Sequence, residues 1–164
     1  MKQLLLQYAQ YNAWANKKLS ETVGRLSHDQ QHQQIPSSFD SIFKTMMHLL
    51  DVESIWWQRL KLSEQIDWPG RTFTGDINDL IQELLRNSSQ WEYWVRNASD
   101  VALTHVFAYQ NSKKEHFKQP VYEVLVHLFN HQSYHRGQLV TMLRQAGVEK
   151  IPATDFIVYC RTKK

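Results

Sequence analysis

Residues 127–147, HLFNHQSYHRGQLVTMLRQAG, decide the fold. Leu128, Leu139, Met142 and Leu143 recur at helical intervals, Val124 and Leu125 extend the stripe upstream, and His127, His131 and His135 recur every fourth residue in the same run. Side chains four apart on a helix are neighbours, so adjacent imidazoles here can address one metal ion. A helix rises about 1.5 Å per residue, which puts His127 roughly 12 Å from His135. With metal–nitrogen bonds of about 2 Å, one ion takes one adjacent pair, His127 with His131 or His131 with His135. The remaining ligands have to come from elsewhere in the chain.

Working outward, Pro120 suits the first turn of this helix and Gly147 its end. Upstream, the helical period is absent over 101–119, where VFAYQ, NSKK and EHFKQ read as two short strands around a turn. Asp76 caps a preceding helix through Ile77, Leu80, Leu84, Trp91 and Val95, with Asp79 favourably placed in its first turn. Pro69-Gly70 breaks the chain before it. Another helix starts at Ser37 or Ser38 as N-cap and runs through Ile42, Met46, Leu49, Leu50, Glu53, Trp57 and Leu60. The polar stretch SHDQQHQQIPSS is a connecting loop, and a first helix occupies residues 2 to about 25 through Leu5, Tyr8, Ala9, Asn12, Ala15 and Leu19. The ending IPATDFIVYCRTKK reads as a tail packed by its apolar residues, with a solvated basic end. These features predict one all-α domain over residues 1–164, a four-helix bundle of up-down type. The 101–119 segment is its longer connection, a short β-hairpin between the third and fourth helices.

Composition agrees with long helices around a real core: 42% hydrophobic and 12% aromatic residues, with 5 Gly and 4 Pro in 164 residues. The single cysteine, Cys160, leaves no internal disulfide and fits a reducing, cytoplasmic compartment. The start, MKQLLLQYAQYNAWANKK, turns polar too soon for a signal peptide, and no apolar run approaches the roughly 18 residues of a membrane span. The net charge is +3, but Lys and Arg are scattered apart from Lys113-Lys114 and the stretch from Arg161 to Lys164. Neither nucleic acid nor a membrane is therefore an expected partner.

His48 is the lone histidine of its helix, on a face shared with Thr45, Asp51 and Val52. Bundles build metal sites from side chains on facing helices, which makes His48 a candidate third ligand. Asp51, one turn beyond, is a candidate to orient a ligand or act as a base. The competing reading of the His run is a polar helix edge, but Asn130, Gln132, Tyr134, Arg136 and Gln138 suit hydrogen bonding around ligands better than simple solvation. His28 and His32 lie in the expected loop, where their spacing implies no shared face, and His105 and His116 are expected to be exposed. Tryptophans at helical positions, Trp14, Trp56, Trp57, Trp91 and Trp94, are expected in the core, with some walling a pocket.

Gln132 stands where the zinc-protease motif H-E-x-x-H needs its glutamate, and the chain has no Glu-x-x-His of di-iron bundles. A mononuclear site of three neutral imidazoles remains. Three nitrogen ligands with open positions are the arrangement of a catalytic ion, able to lower the pKa of a water or thiol. Imidazole suits zinc, nickel, iron and copper alike. Cys160, in the tail, is not the expected nucleophile.

The chain resembles the DinB-like (DinB/YfiT-like) superfamily of metal-binding four-helix-bundle proteins. The likeness rests on YNAWANKKL at 11–19, SSFDSIFKTMMHLLDVESIWWQRL at 37–60, HLFNHQSYHRGQLVTMLRQAG at 127–147 and PATDFIVY at 152–159. Matched residue by residue, the resemblance implies a metal triad of His48, His131 and His135, with His127 a pocket residue beside it. It further implies a divalent zinc, nickel or iron ion, a homodimer, and a low-molecular-weight thiol such as bacillithiol or mycothiol as co-substrate. The expected activity is a metal-dependent thiol S-transferase or hydrolase acting on small electrophiles; the alternative is a non-catalytic metal-binding stress protein.

Overall fold

A computed structural model describes residues 1–162 of the chain. Its elements in order are α1 (Lys2–Val23), α2 (His28–His32), α3 (Ile42–Leu60), α4 (Pro69–Thr72), α5 (Ile77–Asn97), α6 (Asp100–Thr104), β1 (Val106–Gln110), β2 (His116–Pro120), α7 (Val121–Gln145) and α8 (Phe156–Arg161). The four long helices form the expected bundle, but its neighbours do not follow chain order. Both α1 and α3 pack chiefly on α5 and α7, so consecutive long helices α1 and α3 face each other across the centre. The long linker between them, which carries α2, makes this crossing possible.

Two core clusters fill the bundle. Leu19, Ile42, Met46, Leu80, Leu139 and Leu143 pack at one end, and Val52, Trp91, Val95, Leu125, Leu128 and Phe129 at the other. Between them a polar layer draws on all four helices. Fully buried Glu53 of α3 accepts from Asn12 Nδ2 at 2.7 Å and Asn16 Nδ2 at 3.1 Å on α1, and from Ser88 Oγ at 3.0 Å on α5. Arg136 of α7 donates to Asn12 Oδ1 at 2.6 Å and Asn16 Oδ1 at 2.9 Å. Burial holds the Glu53 carboxyl up at about 7, against the opposing pull of the Asn12, Ser88 and Asn16 hydrogen bonds and the Arg136 charge.

Several local expectations are corrected. The N-cap of α3 is Ser41, not Ser37 or Ser38: its hydroxyl accepts from the Lys44 N–H, and Asp40 pairs with Lys44 at 2.7 Å on the same turn. The expected loop contains α2, because Ser27 and Gln30 form a reciprocal capping box. His28 and His32 therefore do share a face, with ring centroids 4.2 Å apart, though both stay exposed. Part of the segment expected to lack helix forms α6, capped by Ser99, and the tail contains α8, whose Phe156 and Tyr159 pack on Tyr11. Lys163 and Lys164 of the expected basic end lie outside the described residues.

Other expectations hold. Asp76 caps α5 through Asn78 and Asp79, and the hairpin pairs Phe107 with Gln119 and Tyr109 with Phe117. At the end of α7, Gly147 has φ of +83°, and Val148 N–H reaches the Leu143 carbonyl at 3.0 Å, closing a Schellman turn that favours glycine. Of the five tryptophans expected in the core, Trp91 is fully buried and Trp56 nearly so, whereas Trp14, Trp57 and Trp94 are half-buried at its edge. No helix among the described residues is long and apolar enough to cross a membrane.

Candidate metal centre

The site is built where α3 faces α7. Gln132, buried beside His131, donates through Nε2 to the carbonyl of Leu49 at 2.8 Å, and Leu49 follows His48 directly. That bond sets the height of one helix against the other at the point where their histidines meet. Across it, His48 Nε2 lies 3.0 Å from His131 Nε2. His135, one turn on, brings its ring centroid to 4.4 Å from that of His48 and 4.5 Å from that of His131.

One ring nitrogen from each of His48, His131 and His135 falls within 4.8 Å of the other two, and this is the metal-capable grouping found among the described residues. Two nitrogens bound at about 2 Å to one tetrahedral ion are roughly 3.3 Å apart, close to the separation of the His48 and His131 nitrogens. The donor set thus fits a single divalent ion. Desolvation, with the charge of neighbouring imidazoles, pushes His48 and His131 down to about 4, and burial also lowers His135. These shifts favour the neutral imidazole, the form a metal requires. His135 is further oriented: its Nδ1 bonds Gln138 Oε1 at 2.8 Å, leaving Nε2 for the centre, and Gln138 Nε2 donates to Ser38 Oγ at 2.8 Å. Phe39 stacks on His48 at 4.1 Å and covers one side.

His127 stands apart from the cluster. Its exposed ring lies 5.6 Å from that of His131 and 5.4 Å from that of Trp56. Desolvation and the nearby Arg59 charge lower its pKa. Asp51 turns to the short helix α4, where its Oδ1 accepts the Gly70 N–H at 2.7 Å, and no hydrogen bond links it to the three histidines. A Cβ at residue 70 would lie 2.7 Å from Asp51 Oδ2, so this approach depends on glycine. His105 and His116 are exposed, as expected. Reasoning from sequence missed the roles of Gln132 in setting the helix register and of the Glu53 layer. The signal for Glu53 was present, since a carboxylate occupied a position of the apolar stripe.

The family model for the DinB family matches residues 1–163. The protein DinB of Bacillus subtilis (strain 168) is 30% identical over 159 residues, spanning 92% of this chain and 90% of that protein. Among solved structures, YfiT of Bacillus subtilis, described as a probable metal-dependent hydrolase with an unusual four-helix bundle topology, superposes with a TM-score of 0.72 at 18% identity, covering 90% of each chain. A DinB-like protein of Bacillus cereus ATCC 10987 does so with a TM-score of 0.68 at 16% identity, covering 89% of this chain and 94% of that one. The two structures share the fold, and the family match spans nearly the whole sequence. This chain belongs to the DinB family.

Proposed function

We propose that this protein is a metal-dependent enzyme whose His48, His131 and His135 hold one divalent ion and whose substrate is a small electrophile attacked by a thiol or by water. The observation that carries the reading is the convergence of three neutral imidazoles, with two Nε2 atoms 3.0 Å apart, on facing helices. An ion held there supplies positive charge that favours the deprotonated thiol or water at neutral pH. Three protein nitrogens leave room for the reactants, unlike the closed four-ligand shell of a structural site.

The chain's own residues do the rest. Gln138 holds the His135 ring through Nδ1, and Gln132 keeps His131 level with His48. Phe39 shields the His48 side from water. His127, outside the ligand set with its ring 5.6 Å from that of His131, is our candidate to take the nucleophile's proton. YfiT's description as a probable metal-dependent hydrolase supports the hydrolytic form, and the family resemblance supports the thiol-transfer form.

A purely structural ion has less to do here, because the Glu53–Arg136 layer already ties all four helices together. Untagged protein assayed with a haloaromatic and a low-molecular-weight thiol, and separately with an activated ester, tests the reading. Chelation and His131→Ala should each abolish turnover while the melting temperature moves by only a few degrees. Turnover that survives loss of the metal would overturn it.

A further inference from the structure

The connection from α2 to α3 is tied down at both ends without help from the metal site. The Ile35 N–H donates to the Asp40 carbonyl at 2.8 Å and closes the neck of a loop over residues 35–40. Ile35 itself is buried in the core cluster that holds Leu19 and Leu143. Beyond the neck, Asp40 pairs with Lys44 and Ser41 caps α3. Between these anchors stand Pro36, Ser37 and Ser38, all exposed, and the half-buried Phe39.

Phe39 is a large apolar ring in a run of serines and an aspartate, and among the described residues it belongs to none of the three apolar clusters. Its ring contacts are with imidazoles instead. It stacks on His48 at 4.1 Å and 27° and tilts against His135 at 5.6 Å. Its neighbour Ser38 reaches the same site by another route: Ser38 Oγ accepts from Gln138 Nε2, and Gln138 Oε1 accepts from the His135 Nδ1–H, both at 2.8 Å. Two adjacent loop residues thus hold one histidine on α3 and one on α7, through a ring face and a ring nitrogen that a metal ion leaves unused.

Both contacts respond to the charge of an ion. Coordination draws electron density out of an imidazole, which makes the His48 ring a better partner for the negative face of the Phe39 ring and the His135 Nδ1–H a stronger donor to Gln138. A contact that strengthens when the ion binds must, by linkage, hold the ion more tightly once it is made. We propose that residues 35–40 form a latch on the metal centre, in which Phe39 and Ser38 are positioning residues acting through His48 and His135. The closed loop retains the ion and the loosened loop exchanges it. The latch rests on the three-histidine ion of the proposed function and is indifferent to the reaction performed there.

The test measures the rate at which zinc leaves untagged protein into excess chromogenic chelator, together with backbone amide exchange of residues 37–40 with and without zinc. Phe39→Leu keeps apolar bulk and loses the ring, Ser38→Ala loses the acceptor, and Ser38→Thr restores it. Zinc should leave Phe39→Leu and Ser38→Ala roughly tenfold faster than wild type, the scale expected when a group that orients a ligand is removed, and leave Ser38→Thr nearly as slowly as wild type. The melting temperatures of the metal-free variants should match that of wild type, and zinc should slow exchange of the loop amides in wild type. A wild-type rate in Phe39→Leu or in Ser38→Ala, or loop exchange indifferent to zinc, would overturn the latch. So would faster loss accompanied by lower metal-free melting temperatures and no rescue in Ser38→Thr, the mark of loosened packing. Failure of the metal reading shows itself differently, as wild-type protein that takes up no zinc.

Discussion

Glu53 is a carboxyl buried among Asn12, Asn16, Ser88 and Arg136, and burial raises its pKa from 4.5 to about 7. A raised folded pKa means that the native state binds a proton more readily than the unfolded chain does. Its contribution is fully present below about pH 4.5 and is lost as pH rises through about 7. The depressed histidines act oppositely: His48 and His131, held near 4, contribute stability above their unfolded pKa and lose it as pH falls. Comparing wild type with Glu53→Gln cancels the histidine part. Melting temperatures measured from pH 5 to 8 should show the variant gaining on wild type as pH rises; parallel curves would contradict the raised pKa. This residue was legible only as an oddity, a charged side chain in an apolar stripe. Its partners come from three other helices, which no local pattern reveals.

The pairing of α3 with α7 makes the site. Gln132 bonds the Leu49 carbonyl one residue away from the histidines on each side, so it fixes register where register matters. Gln132→Leu, which fills the space but leaves that carbonyl unpaired, should weaken zinc binding by about 10–100-fold, the usual effect of removing a partner that orients ligands. Competition titration against a chromogenic chelator measures it, and unchanged affinity would show that the helices hold their register without this bond. At the same scale, the long helices, the hairpin and the Asp76 cap were readable, because apolar period and turn chemistry are local. The α3 start was misplaced because three serines precede it, and it is Ser41, with an extended backbone, whose hydroxyl accepts from the Lys44 N–H. Helices α2 and α8 are too short for periodicity to register, although Ser27 and Gln30 carried the capping-box signal for α2.

Across the whole molecule, the fold brings together residues 83 positions apart, His48 and His131, by letting α1 and α3 face each other across a shared polar layer while α7 closes on α3. The bundle was legible from four apolar stripes, but the arrangement of its neighbours was not, since stripe width does not say which helix lies opposite. The His131–His135 spacing showed half of the site, and spacing alone left His127 an equal claimant. Geometry separates them: His135 turns into the cluster and is buried, whereas His127 stays exposed beside Trp56. The most direct measurement is therefore the metal content of untagged protein by elemental analysis, for wild type and for His48→Ala, His131→Ala, His135→Ala and His127→Ala. One ion per chain should be present in wild type and in His127→Ala and absent from the other three. Retention in His48→Ala, or loss in His127→Ala alone, would contradict a centre shared between α3 and α7.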